Sequence, residues 1–344
     1  MKKKIVTIIG ARPQFIKASA LSREFLKSND FKEFLVHTGQ HYDPNMSEKF
    51  FQEFSMNQPT INLCCASKSN TNMIGNIIKK TGKILDDLSP NLVLVYGDTD
   101  STLGGSIAAA KRSIPLAHIE SGLRSYNHKM PEEINRRITD HLSSFLFCPT
   151  RQSKLNLKKE GITKNVFHVG DVMLDVSKNM RKKIIKNNKY KKFHLKKNGY
   201  ALLTIHRFEN VSDTKRLKDL INYVRYTYKK HIVFLAHPRT RKVLKKKDLH
   251  LKNFLLLEPL GYTETSNLLL NSEIVFTDSG GIQKEAFFLK KRCVTLRDET
   301  EWTETIENGW NKLWKSKGFK TKKNILDYGN GNAALKIIKI LKNI

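Results

Sequence analysis

The chain has 344 residues and carries 62 Lys+Arg against 32 Asp+Glu, a formal net charge of +30, and it is long enough for two domains that each bury a core. A hydrophobic content of 39% and an aromatic content of 9%, with 18 Gly and 9 Pro, exclude disordered and fibrous classes. No apolar run reaches the roughly 18 residues of a membrane span. The opening MKKKIVTIIGAR only imitates a signal peptide, because its apolar stretch ends at Arg12 without a small-residue cleavage site; a cytoplasmic protein without stable membrane association is expected.

Short β-branched runs alternate with amphipathic segments along the chain. Strands are predicted at 4–10, 33–39, 92–98, 115–121, 144–150 and 165–171, and several are apolar on both faces, as covered parallel strands must be. Helices are predicted between them at 14–28, 72–88, 101–112 and 131–143. After a lysine-rich stretch the pattern restarts with strands at 200–206, 231–237, 253–259, 273–279 and 292–298. This is βαβ alternation twice over: two Rossmann-like, doubly wound α/β domains, 1–170 and 171–330, facing a cleft. Open parallel sheets bind ligands at the carboxyl ends of their strands, so functional residues are sought there.

The charge is uneven, and its densest run, Lys178 to Lys197, holds ten Lys+Arg and no acid. Arginine is the residue suited to planar phosphate and base recognition, yet the 62 basic residues are mostly lysine, and only Tyr190 and Phe193 interrupt the run. Without interleaved aromatics there is no stacking platform; a solvated face is expected, with no nucleic-acid partner. Cys64, Cys65, Cys148 and Cys293 form no Cys-x-x-Cys pair and read as reduced, mostly buried thiols.

Familiar nucleotide-binding motifs are absent or misplaced. The lone G-x-G-x-x-A, at Gly329, Gly331 and Ala334, has no room for a βαβ unit after it, and no P-loop is present; no cofactor is expected. Gly280 and Gly281, directly after the strand EIVFTDS and before IQKEAFFLK, leave helix-start N–H groups open to a phosphate, with Ser279 adding a hydroxyl or simply capping the helix. Glu285, one turn on, suits a pair of ribose hydroxyls. Arg12 follows the first strand, where a guanidinium can grip a phosphate.

The acids are the sharper signal. Asp98 ends LVLVYGD, Glu120 ends PLAHIES, and Glu132 and Glu133 open a helix after Pro131. Carboxylates gathered at one cleft raise one another's pKa and supply an acid and a base near neutral pH. Competing structural roles are a helix cap for Asp98, a helix-dipole role for Glu132 and Glu133, and pairing with Arg124 for Glu120. In the second half His206 with Arg207, and His237 with Arg239, end successive strands, where histidine suits proton transfer or phosphate binding. No metal-ligand spacing occurs, so no metal is expected.

Taken in order, GARPQFIK, HTGQHYDPNM, VYGDTDSTL, HIESGLRS, MPEEINR, LTIHRFEN, AHPRTR, TDSGGIQKEA and TLRDETEW resemble the non-hydrolysing UDP-N-acetylglucosamine 2-epimerase family over nearly the whole chain. The resemblance implies a GT-B-like fold, a C-terminal helix at 331–344 crossing back to the first domain, a homodimer, and a UDP-sugar substrate epimerised at C2 by elimination and re-addition of UDP. It assigns Asp98, Glu120, Glu132 and His206 as catalytic, and Arg12, Ser279, Gly280, Gly281 and Glu285 to UDP, with Arg207, His237 and Arg239 joining the binding set. A hydrolysing epimerase, a GT-B glycosyltransferase and a nucleotide-sugar binding protein are the competing readings. Gln14, Lys284 and Trp302 depart from the common pattern and are similar to the branch acting on UDP-2,3-diacetamido-2,3-dideoxyglucuronate, for whose carboxylate Arg239 or Arg241 is a candidate cation. The family's regulatory second nucleotide-sugar site is linked to the segment at Gln40 and His41.

Overall fold

A computed structural model describes residues 2–40, 50–56, 58–67, 69–246 and 251–343, without the side chains of Arg239 and Lys246; His41 thus lies outside the described residues. The chain forms two compact units, one running to Lys178 and resuming at Leu326, the other Asn179–Ile325.

In the first unit β1 (Lys3–Ile9), β2 (Phe31–His37), β3 (Ile61–Asn62), β4 (Leu92–Tyr96), β5 (Leu116–Ile119), β6 (Phe145–Cys148) and β7 (Val166–His168) make one parallel sheet in the order β3-β2-β1-β4-β5-β6-β7. Helices α1 (Arg12–Lys27), α2 (Asn70–Leu88), α3 (Asp100–Ala110), α4 (Pro131–Leu142), α5 (Arg151–Lys159) and α6 (Val172–Lys186) connect the strands or follow the last. Every residue of β4 is buried, which is why the run LVLVY shows no alternation. On one face Val6, Ile8, Val93 and Val95 pack against Met73, Ile77, Ala108 and Ala109 of α2 and α3. The strand order reverses between β1 and β4, so the turns after these two strands flank the crevice that such reversals create.

The second unit repeats the plan. It opens with α7 (Lys189–Lys192) and runs through β8 (Tyr200–Thr204), α8 (Phe208–Ser212), α9 (Thr214–Thr227), β9 (His231–Leu235), α10 (Pro238–Lys246), β10 (Phe254–Leu257), α11 (Tyr262–Asn271), β11 (Ile274–Thr277), α12 (Gly280–Phe288), β12 (Arg292–Thr295), α13 (Thr303–Glu307) and β13 (Asn311–Leu313). The parallel order is β10-β9-β8-β11-β12-β13, which reverses between β8 and β11. Ala201 and Leu203 face one core while Tyr200 and Leu202 face the other, the period-two signature of a strand covered on both sides.

The division at 178/179 falls inside α6 and not at residue 170, because Val172, Met173 and Val176 are buried and carry the first unit's packing past the Gly170-Asp171 turn. The last helix, α14 (Ala333–Lys342), belongs to the first unit, where it packs on α1 and buries Ile337, Ile338 and Leu341. Asp175 caps it, accepting the Ala333 and Ala334 N–H groups at 3.1 and 2.8 Å. Burial raises the Asp175 carboxyl to about 6 in spite of those bonds. A folded-state value above the unfolded one means the stabilisation is complete below the unfolded pKa and is lost as pH rises through about 6. The expected result is a wild-type unfolding free energy lower at pH 8 than at pH 5 by about 1 kcal/mol, a difference that Asp175→Asn should flatten in thermal denaturation.

Among the lysine-rich run, Lys182, Lys183, Lys186, Lys191, Lys192, Lys196 and Lys197 are exposed, while Lys189 pairs with Glu264 at 2.5 Å. Cys65, Cys148 and Cys293 are buried and Cys64 is exposed. None of the described helices is long and apolar enough to cross a membrane.

Candidate active site

The candidate residues fall into two groups, one in each unit. In the first, the β1 turn brings Arg12 to the start of α1, its guanidinium 4.9 Å over the Phe50 ring. Gln14 follows, fully engaged: Oε1 accepts the Gly10 and Ala11 N–H groups, and Nε2 donates to the Tyr96 carbonyl and Thr102 Oγ1. An amide both accepts and donates, which a carboxylate cannot. Gln14 therefore stitches the β1 turn to the β4 turn.

Asp98, just after β4, is engaged by Arg136 of α4, which also reaches Glu133 at 3.1 Å. Its backbone carbonyl accepts from Asn135 at 2.9 Å. It does not cap α3, whose cap is Thr99. Neighbouring Asp100 is raised by burial, offset in part by Asn135, and Gln40 ties this turn to β2 by accepting the Ser101 N–H and hydroxyl at 3.0 and 2.7 Å.

Glu120, just after β5, is buried and sits at φ +72°, a left-handed conformation that a non-glycine residue holds only where surrounding contacts enforce it. Its carboxylate pairs with the buried ammonium of Lys17 from α1. The structural role considered for Glu120, pairing with Arg124, is not what is found: Arg124 binds Asp140 at 2.7 Å and grips Glu160 with Nε and Nη2. Asp98 and Glu120 thus each face a cation, Arg136 and Lys17. Glu133 is structural, accepting from Ser125 N, Ser125 Oγ and Tyr126 N. Glu132 lies beside it in the first turn of α4, half-buried.

In the second unit His206 and Arg207 follow β8, and Ser279, Gly280 and Gly281 follow β11, the two strands at the reversal point. One side chain joins them. Asp278 is fully buried and accepts from His206 N, Arg207 N and Asn210 Nδ2 at 3.0, 2.9 and 3.0 Å, with His206 Nδ1 3.1 Å away. Burial alone would raise this carboxyl, but His206 and the hydrogen bonds prevail and hold it down at about 2. The His206 side chain itself is 47% exposed, so its second ring nitrogen is available to a ligand. Ser279 caps α12 by accepting the Ile282 N–H at 3.4 Å.

The two glycines differ. A Cβ on Gly281 would meet nothing closer than Ser279 Oγ at 3.9 Å, whereas one on Gly280 would lie 2.6 Å from Glu301 Oε1. Glu301 cannot yield readily, being buried and held by Arg297 at 2.8 Å. Gly280→Ala is therefore expected to displace the start of α12 and, if the resemblance to UDP-sugar epimerases holds at this glycine, to weaken UDP binding at least tenfold, about 1.4 kcal/mol, in isothermal titration. Glu285 is buried within α12. Lys284 and Trp302, two of the departures from the common motif, contact each other, the ammonium 4.0 Å from the indole centroid. His237 is exposed at the end of β9 and Arg239 lies in α10 with its side chain outside the described residues. Arg241 is committed to Glu258 at 2.7 Å.

Lys17 and Asp278 carry the geometry yet were not among the residues singled out from sequence. Each stands inside a quoted motif, GARPQFIK and TDSGGIQKEA, and the strand-end rule reaches Asp278 directly.

The chain is thus built from two Rossmann-like parallel α/β units, with Asp98 after β4 and Glu120 after β5 in one, and His206 after β8 and Gly280 after β11 in the other, the class of two-unit α/β enzyme whose strand ends carry the candidate groups. The chain belongs to the UDP-N-acetylglucosamine 2-epimerase family, whose model matches residues 23–342. A "UDP-N-acetylglucosamine 2-epimerase homolog" of Methanococcus maripaludis is 46% identical over 99% of this chain and 100% of its own length. The UDP-2,3-diacetamido-2,3-dideoxy-D-glucuronate 2-epimerase of Pseudomonas aeruginosa is 44% identical over 90% of this chain and 88% of its own. Among solved structures, that of the Methanocaldococcus jannaschii UDP-GlcNAc 2-epimerase in complex with UDP-GlcNAc and UDP superposes with a TM-score of 0.90 at 39% identity, covering 100% of both chains.

Proposed function

We propose that this enzyme interconverts C2 epimers of a UDP-2-acetamido sugar without net hydrolysis, eliminating UDP across C1–C2 and adding it back after protonation on the opposite face. The observation that carries the reading is the pair of strand-end acids Asp98 and Glu120, each backed by a cation, in a chain of this family. Removing a C2 proton needs a base, and returning one needs an acid; Asp98, Glu120 and Glu132 are the groups proposed for these roles. His206, oriented by Asp278, stabilises the departing diphosphate. Arg12, Arg207, Ser279, Gly280, Gly281, His237 and Arg239 are proposed to bind the UDP-sugar, with Glu285 on the ribose. The enzyme would supply precursors for surface polysaccharide and act in the cytoplasm.

Within this class the substrate favoured is UDP-2,3-diacetamido-2,3-dideoxyglucuronate. Its support is the Lys284–Trp302 contact, in which two departures shared with that branch form one unit, together with the Pseudomonas aeruginosa relative. A turnover comparison of this nucleotide with UDP-N-acetylglucosamine tests it: kcat/KM at least tenfold higher for the uronate is expected, and a preference for the uncharged sugar would overturn the assignment.

A homodimer is proposed as the working form. Ile134, Ile138 and Leu142 are exposed at four-residue spacing along α4, a stripe symmetric about Ile138 that an antiparallel copy of itself would cover, as a two-fold interface requires. Light scattering should give twice the 39.7 kDa chain mass, and Ile138→Glu should give the single mass.

A further inference from the structure

His118 is fully buried in β5, with Nδ1 2.7 Å from Asp140 Oδ1 and Nε2 2.7 Å from the Gly97 carbonyl oxygen. A carbonyl oxygen only accepts, so Nε2 carries a hydrogen. Asp140 is an acceptor too. Its second oxygen takes the Gly122 N–H at 3.1 Å and Arg124 Nη1 at 2.7 Å, and although burial pushes its carboxyl up, His118 and Arg124 bring it below the ordinary value. Nδ1 must then carry a hydrogen as well, and an imidazole with both nitrogens protonated is a cation.

We propose that His118 is a buried imidazolium and the positioning residue of the epimerase site, locking the Asp98 turn and, through Asp140, the Glu120 turn into one frame. Gly97 immediately precedes Asp98, and Gly122 follows two residues after Glu120; both glycines have positive φ, +66° and +77°, so these are the points at which the two turns bend. The charged groups of these elements pair as follows: Asp140 of α4 with His118 and Arg124, Glu160 at the end of α5 with Arg124 and Arg137, Asp98 after β4 and Glu133 of α4 with Arg136, and Glu120 with Lys17 of α1. With His118 charged, five cations meet these five acids, in keeping with the requirement that buried charges be paired and hydrogen-bonded. A fixed cation beneath the two turns also favours the ionised form of a nearby base.

The inference rests on the epimerase reading for its catalytic consequence, but the charge on the ring can be read without turnover. Nitrogen NMR of the intact protein labelled at histidine should show, among its 11 imidazoles, one buried ring carrying hydrogens on both nitrogens, with that signal absent in His118→Gln; a wild type in which no ring beyond the solvent-exposed ones carries two hydrogens overturns the proposal. His118→Gln should lower kcat about 100-fold, change KM less than about threefold, and move the acidic limb of the kcat profile up by about one pH unit. A folded variant with kcat and limb unchanged overturns the positioning role. If His118→Gln does not fold, Asp140→Asn serves instead: it keeps an acceptor oxygen for Gly122 and Arg124 but not the counter-charge, and the ring should then lose one of its two hydrogens as kcat falls. Wild-type protein that turns over no UDP-sugar refutes the epimerase reading and the positioning role with it, while the NMR signal still decides the charge.

Discussion

Glu120→Gln is expected to lower kcat for epimerisation by about 10³-fold while UDP affinity stays within about threefold. Glu120 is the one candidate acid whose backbone is held in the left-handed region, at φ +72°, a conformation costing about 1–3 kcal/mol that folds retain at functional sites. The structure maintains it by tying Glu120 N and Ser121 N to the Phe147 carbonyl at 3.1 and 3.2 Å, and by placing Lys17 against the carboxylate. Glutamine keeps the shape and can accept from Lys17, yet it can neither take up nor release a proton. Stability should fall by only about 1–3 kcal/mol, the loss of a charge-assisted bond. Stopped assays with equilibrium dialysis of UDP separate the two effects, and kcat within tenfold of wild type would remove Glu120 from the proton-transfer set.

Asp278→Ala is expected to cost about 3–5 kcal/mol of stability in the second unit, because it leaves buried donors without their acceptor, and to weaken UDP binding at least tenfold. Asp278 receives three N–H donors from 206–210 and lies one residue before Ser279, so it sets the spacing between His206 and the α12 start. Its lowered carboxyl gives the pH dependence a definite sign. Stability from a depressed carboxylate is present above the unfolded pKa and lost as pH falls through the folded value, here from near 4 to about 2. The wild type should therefore lose about 2 kcal/mol across that window and the variant much less, as measured by denaturant titrations at fixed pH. Equal acid sensitivity of the two proteins would contradict this account of Asp278.

The eleven strands predicted from apolar runs are all present, because parallel strands covered on both faces are near-continuous apolar segments of a length that short helices do not share. The two strands missed, β3 and β13, are the two-residue Ile61–Asn62 and the three-residue Asn311–Leu313. Both are edge strands of polar composition that exist by pairing with β2 and β12, a tertiary cause that no local pattern records. The same holds in the candidate site. Strand ends placed Asp98, Glu120, His206 and Ser279 from sequence alone. The partners did not follow, since Lys17 meets Glu120 across 103 residues and Arg136 meets Asp98 across 38. Arg124, four residues from Glu120 and of opposite charge, looked like its mate, but Asp140 and Glu160 hold it instead. Gln14, read as a departure bearing on substrate, is a buried linker of two turns.

The most direct measurement is incubation of the enzyme with a UDP-2-acetamido sugar in D2O, followed by mass and NMR analysis of the recovered nucleotide sugar. The account predicts deuterium at C2 of both epimers with no net accumulation of UDP; recovery of the sugar nucleotide without deuterium, or stoichiometric release of UDP, would contradict it.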